Sequence, residues 1–383
     1  MTNHIRVLVV FGTRPEAIKM APVLAELHRQ NNLFIPITVV TGQHKEMLTQ
    51  CLERFDIKPD LNLSIMTENQ TLDQMTGSIL ERLPAVFDRF RPDVVLVQGD
   101  TTSSFATALS AFYHKIPVGH IEAGLRTHTK LNPFPEEINR HLTGVIADLH
   151  FAPTQQAKEN LLAEGVPSQR IYMTGNTIVD ALQGILPHVA QMGDALLKEI
   201  DLTKKKLWLL TLHRRESFGK PMEGILKAIK MLVTRYPNVE LIYPVHRNPN
   251  VYQMAHRLLG KVKRIHLLEP IDYFAFIGLL SRAHLVLTDS GGVQEEAPSL
   301  GKPVLVLRET TERPEGVAAG VARLVGTKPD NVIAEVGRLM DNPRAWVKMA
   351  HAVNPYGDGK AAQRIARVLV SVLRRKRDRK GMQ

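Results

Sequence analysis

Short runs of aliphatic and β-branched residues alternate with amphipathic stretches along the whole chain, and this alternation limits the fold more than any single motif does. Strands are predicted at 6–11, 36–41, 94–98, 117–121 and 149–151, then at 207–212, 240–243, 265–268, 285–288 and 304–307. Each run is short and nearly all apolar, as expected where helices cover both faces of a sheet. Helical patterns lie between them, at 16–29, 72–89, 155–162 and 222–235. Repeated βα units imply parallel, doubly wound sheets.

A chain of 383 residues exceeds one ordinary domain. The two strand series therefore read as two similar α/β domains, the first series ending in the stretch 174–201. The balance of 44% apolar and 23% charged residues excludes disordered and collagen-like chains. A formal net charge of +11 points to an anionic partner. Part of that charge is local, since residues 374–380 hold six cations against Asp378 and read as a solvated helix end. Cys51 is the single cysteine, so no internal disulfide forms and a reducing cytoplasm is expected. A secretory signal is not expected at the N-terminus, nor is any apolar run long enough to span a membrane.

Ligands of such sheets bind beyond the carboxyl ends of the strands. The first strand runs into Gly12-Thr13-Arg14-Pro15-Glu16, with Lys19 one turn into the helix, which fits an anion at a helix N-terminus. Gly99-Asp100-Thr101 follows the third predicted strand; Asp100 is placed either to cap the next helix or to move protons. Glu122 directly follows the fourth, where glutamate is a poor turn residue. Glu136-Glu137 opens a helix that continues through Arg140. These acidic clusters are suited to abstract and return a proton, with Arg126 or Arg140 fixing their charge states.

In the second half, His213-Arg214-Arg215 and His246-Arg247 sit at strand ends and suit a phosphate. Thr288-Asp289-Ser290-Gly291-Gly292 leads a strand into a helix N-terminus, a backbone nest for phosphate oxygens. Glu296 lies one turn in, within reach of a ribose diol, and Arg313 closes the series. No P-loop, zinc spacing or nucleophile elbow is present. Gly357-Asp358-Gly359-Lys360 imitates a dinucleotide fingerprint but follows no strand. With 5% aromatic residues, a stacking platform for single-stranded nucleic acid is not expected.

Taken together, 11–16, 98–101, 121–126, 135–140, 213–216, 289–292 with Glu296, and 311–315 resemble the non-hydrolysing UDP-N-acetylglucosamine 2-epimerases, in order along nearly the whole chain. The resemblance implies a glycosyltransferase-B architecture: two Rossmann-like domains facing across a cleft, 1–175 and a UDP-binding 176–358, with the helix of 359–383 returning to the first. It implies interconversion of UDP-GlcNAc and UDP-ManNAc without metal or cofactor, through anti elimination of UDP and enzyme-held 2-acetamidoglucal. A homodimer that binds this nucleotide sugar follows from the same resemblance, while the cysteine count, apolar runs and aromatic content set the expectation of a cytoplasmic protein that binds neither nucleic acid nor membrane.

By motif position, the resemblance makes Asp100, Glu122 and Glu136 the acid–base candidates, with Asp100 first for proton abstraction, and gives His213 the task of assisting UDP departure. It assigns Arg14, Lys19, Arg140, Phe276, Ser290, Gly291, Gly292, Glu296 and Arg313 to substrate binding. A second, activating nucleotide sugar would touch Gln43, His44, Arg214 and His246, although Glu46 replaces the glutamine of some regulated members. Ile271 stands before Asp272-Tyr273 where relatives often carry glutamine, which removes one uracil contact. The competing readings are an epimerase for a related sugar such as UDP-2,3-diacetamido-glucuronic acid, a glycosyltransferase of the same architecture, a hydrolysing epimerase and a basic nucleic-acid-binding protein.

Overall fold

Parallel strands need a crossover, and helices supply one between nearly every pair of strands in this chain. The structure, a computed structural model, describes residues 4–42, 45–67, 70–197 and 200–380; at 45–47, 190–191, 194–196 and 375–380 only the backbone is described. Contacts divide the chain into one unit of Met1–Ala181 with Gly357–Gln383 and a second of Leu182–Tyr356.

The first unit begins β1 (Ile5–Phe11), α1 (Arg14–Arg29), β2 (Phe34–Val40), α2 (Lys45–Arg54), β3 (Leu61–Asn62), α3 (Leu72–Phe90) and β4 (Val94–Gln98). It continues α4 (Thr102–Tyr113), β5 (Val118–Ile121), α5 (Glu136–Ile146), β6 (Leu149–Ala152), α6 (Gln155–Ala163) and β7 (Ile171–Met173). These strands form one seven-stranded sheet in the order β3-β2-β1-β4-β5-β6-β7, parallel throughout. The chain passes to the second unit within α7 (Thr177–Leu196).

The second unit holds β8 (Lys206–Thr211), α8 (Lys220–Arg235), β9 (Val239–Pro244), α9 (Pro249–Leu259), β10 (Ile265–Leu268), α10 (Tyr273–Arg282) and β11 (Leu285–Thr288). After these come α11 (Gly291–Ser299), β12 (Val304–Val306), α12 (Pro314–Ala318), β13 (Ala322–Leu324), α13 (Pro329–Asp341) and α14 (Pro343–Ala350). Its six-stranded sheet runs β10-β9-β8-β11-β12-β13, again parallel. The last helix, α15 (Ala361–Lys380), belongs to the first unit and packs on α1. Two parallel doubly wound units, with the C-terminal helix returned to the first, are the glycosyltransferase-B components that the resemblance implies.

Burial explains the strand patterns. All five residues of β4 and all four of β5, β6 and β11 are buried, because helices cover both faces. Trp208 and Tyr243 are fully buried in the second core, where each large side chain contributes about 1.5–3 kcal/mol. Two glycines set a close crossing there: a Cβ on Gly193 of α7 would stand 2.5 Å from the carbonyl carbon of Gly278 in α10. The expected five strands per domain fall short of the observed seven and six. The additions are β3, β7 and β13, each only two or three residues long and at or near a sheet edge. Edge pairing needs no long apolar run, so periodicity leaves them unmarked.

Both strand orders reverse at one point, between β1 and β4 in the first sheet and between β8 and β11 in the second. A ligand crevice opens at such a point. Gly12–Arg14 and Gly99–Asp100 follow the first pair of strands; His213 and Asp289–Ser290 follow the second.

Candidate active site

In the first unit, the turn after β1 is built around a carboxylate. Thr13 and Glu16 form a reciprocal capping box at the start of α1. Buried Glu16 also accepts from Gly12 N at 3.1 Å, Thr101 Oγ1 at 2.7 Å and Ser104 Oγ at 2.9 Å. It thereby ties the β1 and β4 turns together. Burial raises its pKa, while these hydrogen bonds oppose the shift. The motif at 11–16 gives Glu16 no role, since a bridge between distant turns leaves no local signal.

Asp100 does not cap α4. Thr101 does, its hydroxyl accepting from Ser104 N at 3.1 Å. That leaves the Asp100 side chain to Arg140, whose Nη2 lies 2.5 Å from Asp100 Oδ2. Of the two arginines proposed to set the carboxylates' charge, Arg140 meets Asp100. Arg126 is instead held by Glu164 at 2.6 and 2.7 Å and by its neighbour's carbonyl, Leu125 O, at 2.7 Å.

Glu122 has a positive φ of 65°, a left-handed conformation that costs a glutamate roughly 1 kcal/mol or more. Its carboxylate receives Lys19 Nζ, Gln98 Nε2 and, at 3.0 Å, Asn176 Nδ2. Lys19, expected at the diphosphate, thus lies on the acidic cluster with 11% of its side chain exposed. Gln98 falls within the 98–101 motif without a role of its own and Asn176 in none, because an amide in a strand or loop has no spacing that marks it. A Cβ added at Gly99 would come 3.6 Å from Glu122 Oε2, so the β4 and β5 turns adjoin.

Glu136 is half-buried in the first turn of α5, one turn before Arg140. Its neighbour Glu137 is buried and structural, accepting from Thr127 N at 3.1 Å and His128 N at 3.0 Å. Burial works to raise the Glu137 pKa, but these amides and Arg140 outweigh it and the net shift is downward. Arg14 is the half-buried first residue of α1.

The second unit centres on Asp289, fully buried at the end of β11. Its Oδ2 accepts from the amides of His213 and Arg214, both at 2.8 Å, which fixes the turn after β8. The His213 ring stacks on His246 at 5.8 Å and presents Nδ1 3.4 Å from Asp289 Oδ1. Burial lowers the His213 pKa, with Asp289 opposing.

Ser290 opens α11 without a side-chain cap of its own. A Cβ on Gly291 would stand 3.6 Å from Arg214 Nη2 and 3.8 Å from Arg313 Cζ, so two guanidinium groups flank this helix N-terminus. Bare N–H groups and paired cations make an anion site. Glu296 is buried, with Oε1 4.0 Å from where a Gly292 Cβ would be. Arg313 is held by Glu295 at 2.7 Å and by Thr311, which in turn donates to Gln294 at 2.6 Å. Burial acts to raise the pKa of Glu312, but Arg308 and Arg313 bring it down to about 2. Phe276 is half-buried on α10. Gln43 and His44 lie outside the described residues.

The 357–360 segment is no nucleotide loop. Asp358 accepts from Arg364 at 2.7 Å, and Asp180 occupies the N-terminus of α15 through Ala361 N and Ala362 N. No helix among the described residues is long and apolar enough to cross a membrane.

A family model described as UDP-N-acetylglucosamine 2-epimerase matches residues 25–370. The Bacillus subtilis UDP-N-acetylglucosamine 2-epimerase is 51% identical over 374 residues, which is 96% of each chain. The structure is similar to that of the Neisseria meningitidis UDP-GlcNAc 2-epimerase bound to UDP-GlcNAc, with TM-score 0.89 and 48% identity over 96% of this chain and 100% of that one. It is also similar to the Methanocaldococcus jannaschii enzyme in complex with UDP-GlcNAc and UDP, with TM-score 0.78 and 36% identity over 96% and 100%. With this identity sustained along nearly its whole length, the chain belongs to the UDP-N-acetylglucosamine 2-epimerase family.

Proposed function

We propose that this protein interconverts UDP-N-acetylglucosamine and UDP-N-acetylmannosamine by eliminating and re-adding UDP. A base takes the C2 proton while the C1–O bond to UDP breaks, giving the C1=C2 bond of 2-acetamidoglucal. UDP oxygen then re-forms the C1 bond as a proton is delivered to the opposite face of C2. The observation that carries this reading is the pair of carboxylates at adjacent strand ends, Asp100 with Arg140 and Glu122 with Lys19. Proton traffic on two faces of one carbon calls for two separately supported groups.

Asp100 is the first choice for abstraction, with Glu122 and Glu136 sharing proton delivery. The α11 N-terminus with Arg214 and Arg313 suits the diphosphate, Glu296 the ribose, and His213 the departing UDP oxygen. Arg14 and Phe276 complete the substrate contacts, and the working form is a cytoplasmic homodimer, which light scattering checks. Buried Cys51, its thiol pushed up to about 12 by burial, fits a protein without disulfide chemistry.

Incubation with UDP-GlcNAc in deuterated water tests the reading. Deuterium at C2 of product UDP-ManNAc is expected; product without it sinks proton abstraction. Absence of any UDP-ManNAc removes the proposed activity itself.

A further inference from the structure

The peptide that carries Asp100 is gripped at two consecutive carbonyls. His120 Nε2 lies 2.7 Å from Gly99 O, and Asn139 Nδ2 donates to Asp100 O at 3.0 Å. A carbonyl only accepts, so His120 holds its ring proton on Nε2. Both side chains are buried, His120 at 1% and Asn139 at 7% exposure. His120 sits in β5, an interior strand paired at this residue to Val97 of β4 on one side and to His150 of β6 on the other. Asn139 comes from a different element, α5, directly before Arg140.

The grip matters because of the residue it holds. Gly99 has φ of 69°, and glycine leaves its peptide the widest choice of conformations. Without a fixed carbonyl the direction of the Asp100 side chain would be loosely set. The backbone bond from Gly99 N to Ile121 O, 2.9 Å, fixes the near end only. Stability alone does not call for histidine here, since burying a polar ring costs more than burying leucine.

We propose that His120 and Asn139 are positioning residues that aim the Asp100 carboxylate, jointly with its partner Arg140, at the C2 proton. This rests on the reading of Asp100 as an acid–base group. Neither side chain touches the reacting atoms in this scheme; both act through the peptide of Asp100. Burial pushes the His120 ring to about 3, which keeps it neutral and its proton on Nε2 at working pH.

Five variants test this: His120→Leu, His120→Gln, Asn139→Leu, Asp100→Asn and the double variant H120L/D100N. Glutamine places an N–H three bonds beyond Cβ, as histidine Nε2 does. A misplacement of about 1 Å lowers rates roughly 100-fold, so His120→Leu is expected to lower kcat by about 10- to 100-fold. KM for UDP-GlcNAc and the dissociation constant of UDP should stay within about twofold. His120→Gln should restore kcat to within about threefold of the parent. In the Asp100→Asn background, His120→Leu should cause no further loss, because its whole effect passes through Asp100.

Equal impairment of the Leu and Gln variants overturns the proposal, as does an undiminished His120→Leu effect on the residual rate of Asp100→Asn. Should His120→Leu not fold, Asn139→Leu submits the same grip to the same comparison. Parent-level turnover in Asp100→Asn removes the acid–base reading and the proposal with it. An inactive Asp100→Asn beside fully active His120→Leu and Asn139→Leu removes the proposal alone.

Discussion

Arg140 Nη2 lies 2.5 Å from Asp100 Oδ2, and the same guanidinium reaches Glu137 Oε2 at 3.5 Å. One cation thus serves an acid–base candidate and the carboxylate that anchors the loop of Thr127 and His128. Replacing Arg140 with Met removes the cation from Asp100 and leaves Glu137 its amide partners only, and loss of a charged hydrogen bond costs about 2 kcal/mol. A lowered melting temperature and a kcat loss of roughly 100-fold are expected together. Arg140→Lys should keep the charge but not the forked geometry, and so recover part of the loss. Thermal melts and turnover of the two variants check this; an unchanged kcat in Arg140→Met would refute it.

Amide replacements separate chemistry from binding. Asp100→Asn, Glu122→Gln and Glu136→Gln keep size but cannot accept a proton at neutral pH. Each is expected to lower kcat at least about 100-fold. UDP affinity, measured by calorimetry, should change little, because the proposed anion site consists of Ser290, Arg214 and Arg313. A loss of UDP binding equal to the loss of turnover would count against this division of roles.

Asp289 sets the turn after β8 through two amides, those of His213 and Arg214. Asparagine cannot accept both as strongly, so the His213 ring and the Arg214 guanidinium lose their common support. The expected result for Asp289→Asn is UDP binding weakened about 10-fold, equivalent to about 1.4 kcal/mol. Unaltered calorimetric affinity would show that the turn holds without the charge.

Buried histidines predict the acid side of the stability curve. Burial brings His120 to about 3 and His150 to about 4, both below the ordinary 6.5. The unfolded chain therefore takes up protons that the native rings refuse. Their contribution is complete above pH 6.5 and lost as pH falls from there toward 4. The loss approaches about 1.4 kcal/mol per pH unit for each ring. Urea midpoints between pH 7 and 4.5 measure it, and His150→Phe should flatten the slope. An identical slope in that variant would exclude the ring as its source.

The sheets, their parallel sense and the positions of the acid–base candidates were legible because each depends on local pattern: apolar runs, then Gly with Asp or Glu at the strand end. Arg140 beside Asp100 was legible in part, as one of two arginines close to the carboxylates in sequence. Lys19 was assigned to phosphate because a cation one turn into a helix looks the same whatever faces it. Only the fold brings Glu122 to it from 103 residues away. The roles of Glu16, His120 and Asn139 are not legible in the sequence for a related reason. Their partners are backbone carbonyls or hydroxyls on other βα units, and such pairings follow from strand order and not from composition.

The return of α15 to α1 also bears on when each unit is finished. Ala361, Ile365, Ala366 and Leu369 are all fully or nearly fully buried, yet they leave the ribosome only after the whole of Leu182–Tyr356. The unit carrying Asp100 and Glu122 is begun first and sealed last, while the intervening unit has its entire sequence available earlier. During synthesis the face of α1 that will receive α15 waits uncovered, a period in which a growing chain is prone to wrong association.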